Sequence, residues 1–105
     1  MIVAGTPVTC TIANTAYQLT ATNISVKTMF VQPRYDNAGV LFIGNSTLAP
    51  ATNVGVYGQL QVPSPTNIPT YRPSETESQN GLQASTFWVA STQAGDIVLW
   101  SYDQQ

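Results

Sequence analysis

Histidine is absent from this sequence, cysteine occurs once, and only 8% of the residues are charged, where about 25% is usual. Each shortage removes a class of function. Without histidine there is no Ser-His-Asp triad and no imidazole-ligated metal. The single cysteine, Cys10, can close no internal disulfide and cannot complete a cysteine zinc site. Lys27, Arg34 and Arg72 are the only basic side chains, and they are scattered. Counterion release from phosphates and attraction to anionic lipid both need clustered basic groups, so neither nucleic acid nor membrane is expected as a partner. No apolar run approaches the roughly 20 residues of a membrane-spanning helix. The opening Met1-Ile2-Val3-Ala4-Gly5 has neither the basic start nor the apolar length of a signal peptide.

Carboxylates are equally sparse: Asp36, Glu75, Glu77, Asp96 and Asp103. General acid–base chemistry needs two of them held together or one beside a histidine. Only Glu75 and Glu77 are close in sequence, and they read as solvated charges. Asp36, Asn37 and Asn45 offer oxygen ligands to calcium, but their spacing matches no calcium loop. The glycines are scattered and precede no helical pattern, so no phosphate-binding loop is formed. The sequons Asn23-Ile24-Ser25 and Asn45-Ser46-Thr47 are the chance product of a chain rich in Asn, Ser and Thr. The expectation is a protein with no catalytic residue, no cofactor and no metal.

What remains is a single domain over residues 1–105, with 43% hydrophobic and 10% aromatic residues. That apolar content is enough to offset the entropy of chain ordering. Threonine, serine, asparagine and glutamine stand where charge is usual. Neutral polar groups cost little to desolvate against a partner, so the composition suits a protein rich in interfaces. Short segments alternate with period two and favour β-branched residues: Val8–Ile12, Tyr17–Ala21, Ile24–Gln32, Val40–Ile43, Val54–Val62, Thr86–Ser91 and Ile97–Tyr102. The pattern predicts an all-β domain, a small β-sandwich of seven or eight short strands, the jelly roll being one form of it. A small closed barrel is the alternative. Cys10 falls on the apolar parity of its strand and reads as a small buried hydrophobe.

Two turns read as hairpin loops. Asp36-Asn37-Ala38-Gly39 would pair Val31 with Leu41 and set Phe30 opposite Phe42, with Gly39 at positive φ. Thr92–Asp96 would set Val89 against Leu99 and Trp88 against Trp100. That second ribbon would be apolar on both faces, one more than a single core covers. The spare face predicts a homo-oligomer or a permanent partner contact, with Trp88, Trp100, Tyr102 and Val98 at the interface. Tyr71 and Arg72 join the same candidate set. They lie in Pro63–Gly81, a stretch whose prolines keep it out of a central strand. It reads as an exposed loop or arm with a short edge strand near Ile68–Tyr71, and with Met1–Pro7 as a second arm. The aromatics Trp88, Trp100, Tyr57, Tyr71 and Tyr102 also raise carbohydrate binding, which needs them on one exposed platform.

Ile24–Gln32 followed by Asn37-Ala38-Gly39-Val40-Leu41-Phe42-Ile43-Gly44-Asn45-Ser46 resembles small virion proteins of tailed bacteriophages. In those, a strand ending in Gln leads through an Asn-x-Gly loop into an apolar strand ending Ile/Val-Gly-x-Ser. Tyr17–Ala21 and the run from Phe87-Trp88-Val89 to Ala94-Gly95-Asp96-Ile97-Val98 resemble them too, so the likeness touches about two thirds of the chain. The Pro63–Gly81 loop matches nothing in them. The resemblance implies a non-enzymatic structural protein, a capsid decoration or cement protein that stabilises the shell. The alternative is a carbohydrate- or receptor-binding module of a tail or fibre. The implied partners are the major capsid protein or another virion protein. The implied location is the virion, after synthesis in the host cytoplasm.

Overall fold

The computed structural model of the protein describes residues 2–73 and 82–104. Among these residues nine strands form: β1 (Ile2–Ala4), β2 (Val8–Cys10), β3 (Tyr17–Gln18), β4 (Ser25–Pro33), β5 (Leu41–Ala49), β6 (Val54–Leu60), β7 (Leu82–Gln83), β8 (Trp88–Ser91) and β9 (Asp96–Gln104). They make two antiparallel sheets, and the fold is a β-sandwich. One sheet has the order β1-β9-β4-β7, with β2 also on β9; the other has the order β3-β8-β5-β6.

The strands β1 and β2 are two halves of one strand. β1 pairs with Ser101–Asp103 and β2 with Asp96–Val98, on a common partner, β9. Between them the Gly5 amide donates to the Trp100 carbonyl at 2.8 Å. With those halves merged, the pairs read first strand with last, second with second-last, and so inward to β5 with β6. A long antiparallel ribbon closed by the β5–β6 turn and rolled up gives that order, which is a jelly roll.

Rolling the ribbon puts sequence neighbours in opposite sheets. That overturns both expected hairpins. β4 and β5 lie in different sheets, as do β8 and β9. Arg34–Val40 and Thr92–Gly95 are therefore crossings between sheets. Phe30 and Phe42 do not meet, and neither do Trp88 and Trp100. The one hairpin between long strands is β5–β6, turned by Pro50–Asn53 with Asn53 at φ 60°. Gly39 is also corrected: positive φ among the described glycines occurs at Gly55 and Gly95. Gly39 is required by close approach, since a Cβ there would sit 2.7 Å from Thr92 Oγ1 and 2.8 Å from Ser91 Oγ.

The inner faces supply one core. Val26, Met29, Val31, Val98 and Trp100 from one sheet meet Leu41, Ile43, Phe87 and Val89 from the other. Cys10 is fully buried among them, as its parity predicts. A smaller cluster of Phe42, Leu48 and Ala90, with Trp88 and Val56 against it, lies on the outer face of the second sheet. Its cover is local. The β5–β6 register jumps from Gly44↔Val56 to Ala49↔Val54, and the displaced residues bring Leu48 back over Gly44. The second apolar face of β8 is thus partly covered by the chain itself.

The proline-rich segment is less loose than its composition suggests. Pro63 and Pro73 are buried. The edge strand expected near Ile68–Tyr71 is a single bridge, Tyr71↔Val31, with amide–carbonyl distances of 2.7 and 2.8 Å. The Pro73 carbonyl then accepts from the Thr28 hydroxyl at 2.9 Å. The acidic part of the segment, with Glu75 and Glu77, lies outside the described residues.

Candidate interface

The six candidate interface residues do not share a surface. Val98 is fully buried and Trp100 is 6% exposed, so both belong to the core. The Trp100 indole donates to the Thr6 carbonyl at 2.7 Å. Its ring stacks on Tyr102, with centroids 5.5 Å apart. Gly5 lies across the other side, where a Cβ would come within 2.1 Å of the indole. The segment expected to be a free arm, Met1–Pro7, is thus over residues 2–7 the lid on Trp100. Trp88 is half-buried on the outer face of the opposite sheet. Tyr71 closes the side of the sandwich, its ring 3.1 Å from where a Gly58 Cβ would stand. Arg72 is exposed and lies 5.2 Å over the Phe30 ring. The aromatics therefore form no common platform: Tyr57 meets Phe87 edge-on at 5.8 Å, far from the Trp100–Tyr102 stack in chain and sheet.

The polar groups that could carry chemistry are occupied structurally. Asp96, 7% exposed, accepts from the Ala38 amide (3.1 Å), the Gly39 amide (2.8 Å) and the Ser91 hydroxyl (2.7 Å). Burial, and secondarily the Asp96 carboxylate, push the Cys10 thiol up to about 11. A thiol with so high a pKa is a poor nucleophile at neutral pH. Asp36 is held below the usual carboxylate range by its hydrogen bond from Arg34, at 2.6 Å. Asn45 accepts from the Thr47 amide and hydroxyl. Among the described residues no three His, Cys, Asp or Glu side chains converge as metal ligands.

A further stretch stands apart, outside the six candidate interface residues except for Tyr71. No charged side chain occurs between Asp36 and Arg72. That stretch makes β5, the edge strand β6 and the crossing back to β4. Of the seven large apolar side chains that stand exposed among the described residues, four belong to it: Val54 (50%), Tyr57 (53%), Val62 (47%) and Ile68 (39%). The segment from Asn37 to Tyr71 is therefore neutral and carries most of the exposed large apolar side chains of the described residues. The signal was present in the sequence as a gap in charge. A charge fraction taken over the whole chain does not show it.

A hollow of about 210 Å³ is lined by Phe30, Gln32, Leu99, Trp100 and Ser101 of the first sheet. It holds no titratable group. No protein-family model, curated protein or solved structure matches the chain.

Proposed function

We propose that this protein is a non-enzymatic structural subunit of a bacteriophage virion, most simply a capsid decoration or cement protein. The observation that carries the reading is the uncharged segment from Asn37 to Tyr71, with Val54, Tyr57, Val62 and Ile68 exposed on it. Exposed apolar groups in a neutral polar field are cheap to desolvate and mark a contact surface. The jelly roll agrees with the reading, being an architecture of viral capsid domains, but it is also used by lectins and is support by analogy only. The work would be mechanical: surface buried between neighbouring shell subunits adds association free energy, and repetition on a lattice multiplies weak contacts. Quantitative mass spectrometry of purified virions, split into heads and tails, tests it. Many copies on heads are expected. Few copies confined to tails would favour the receptor-binding alternative, and absence from virions would reject both.

A further inference from the structure

We propose that the hollow on the first sheet binds a single sugar ring bearing a carboxylate, with Arg72 holding the carboxylate. Val31 pairs with Trp100 on one side and with Tyr71 on the other. Val31 and Trp100 are buried in the core. Strand side chains alternate between faces, so the neighbours of this line point away from the core. They make two rows. One runs through Arg72, Phe30 and Ser101, the other through Thr70, Gln32 and Leu99. The β4 and β9 members of both rows line the hollow. The third members stand beside them. The Arg72 guanidinium carbon is 5.2 Å from the Phe30 ring centre, and the Thr70 hydroxyl is 3.4 Å from Gln32 Oε1.

The ligand class follows from the chemistry of the rows. Gln32, Ser101 and Thr70 can each donate and accept a hydrogen bond. Sugar hydroxyls do both as well, whereas a phosphate dianion or a bare carboxylate only accepts. Phe30 and Leu99, both half-buried, offer apolar surface to the C–H face of a ring. Arg72 is exposed and is the one charged side chain in the two rows; among the described residues no carboxylate pairs with it. A guanidinium grips a carboxylate through two parallel hydrogen bonds. Drug-sized ligands take about 300–1,000 Å³, so a hollow of about 210 Å³ suits one ring. The backbone carrying Arg72 is already fixed. Tyr71 exchanges bonds of 2.7 and 2.8 Å with Val31, and the Pro73 carbonyl accepts from the Thr28 hydroxyl at 2.9 Å. Little ordering of the main chain is therefore left for the ligand to impose. The inference rests on these rows and not on the virion reading, so either can fail alone.

The experiment titrates the isotope-labelled full chain by NMR with methyl glucuronide, methyl galacturonide, methyl glucoside and acetate. At least one uronide is expected to give saturable shifts at the amides of Phe30, Gln32, Leu99 and Ser101, with a Kd of roughly a millimolar. The neutral glucoside and acetate should each bind about fivefold more weakly or worse. Arg72→Gln, on an exposed side chain, should weaken the uronide about tenfold, leave the glucoside unchanged and keep the melting temperature. No saturable shift with either uronide up to about 50 mM overturns the proposal. So do saturable shifts confined to other residues, and so does uronide binding that Arg72→Gln leaves intact. Acetate binding as tightly as the uronides would reduce the site to a bare anion contact and reject the sugar.

Discussion

The side-chain amide of Asn37 pairs with the main chain of Ile97 as a neighbouring strand would. Asn37 Nδ2 donates to the Ile97 carbonyl at 2.8 Å, and the Ile97 amide donates to Asn37 Oδ1 at 2.9 Å. One step away, Asp96 accepts from the Ala38 and Gly39 amides. Together these bonds buckle the β4–β5 crossing to the β8–β9 crossing. Two connections that switch sheets leave buried amides with no ladder partner, and these two side chains supply it.

Removing the buckle should therefore cost more than one surface hydrogen bond. Asp96→Ala strands the buried Gly39 amide and Ser91 hydroxyl, and the part-buried Ala38 amide. Unsatisfied buried groups cost about 1–3 kcal/mol each, and partial relaxation leaves a net loss of about 3 kcal/mol. For a domain of this size that lowers the melting temperature by roughly 10–20 °C. Asp96→Asn, which keeps one acceptor oxygen, should lose less. Thermal melts followed by circular dichroism check both; a loss below about 3 °C for Asp96→Ala would show that the crossings hold without it.

The same two crossings mark the limit of what was legible. Alternation located the strands, because the inward parity of β4, β8 and β9 is real in the fold: Met29, Val89 and Val98 are all buried. Pairing was another matter. A short turn between two apolar runs is compatible with a hairpin or with a crossing, and only the buried polar anchors Asn37 and Asp96 distinguish them. Those residues are ordinary turn formers, so their second role was hidden. Trp100 differs for the same reason: a hairpin of β8 and β9 would put Val89 and Trp100 on opposite faces, whereas the crossing turns both inward. The candidate surface was legible in principle, since a chain segment without charge needs no structure to be seen.

Gly39 and Gly95 lie in these crossings and are glycine for different reasons. A Cβ on Gly39 would press on Thr92, Gln93 and Ser91, whereas one on Gly95 meets nothing within 4 Å. Gly95 has φ +87°. Gly95→Ala should cost about 1–2 kcal/mol through backbone strain, and Gly95→Asn less, because asparagine tolerates the left-handed region. Gly39→Ala should cost a similar amount by crowding, and asparagine there should be worse than alanine. Chemical denaturation of the four variants checks the opposite rank order; asparagine tolerated equally at both sites would contradict it.

Cys10 links stability to alkaline pH. Its thiol is raised from 9.0 to about 11, chiefly by burial and then by Asp96. In the folded state the proton is held more tightly than in the unfolded chain. The resulting stability is fully present below about pH 9 and is lost as pH rises through about 11. Cys10→Ala should be less stable at neutral pH, through the lost sulfur contacts, and should show a shallower decline between those pH values. Denaturation midpoints of both proteins from neutral to alkaline pH test this. The native thiol should also resist an aromatic disulfide reagent until denaturant is added. Parallel pH curves for the two proteins would remove Cys10 as the cause.

Gly5 and Trp100 give the sharpest steric prediction. The indole is held from three directions: by the Thr6 carbonyl at 2.7 Å, by the Tyr102 ring at 5.5 Å and by the core beneath it. It cannot retreat inward, because Val31 and Val98 beside it are fully buried. A Cβ on Gly5 would lie 2.1–2.4 Å from three indole carbons. Gly5→Ala must therefore lift the segment between β1 and β2 off the ring. That breaks the Gly5–Trp100 backbone bond and loosens Ile2–Ala4 from β9. Overpacking of this kind costs about 1–3 kcal/mol. It should also wet the indole. In a Trp88→Phe background, which leaves Trp100 as the only tryptophan, the native emission should be blue-shifted and poorly quenched by acrylamide. Adding Gly5→Ala should move the emission to the red and raise quenching at temperatures where circular dichroism still reports the folded sheets. An unchanged spectrum with an unchanged melting temperature would mean that the segment does not cover Trp100.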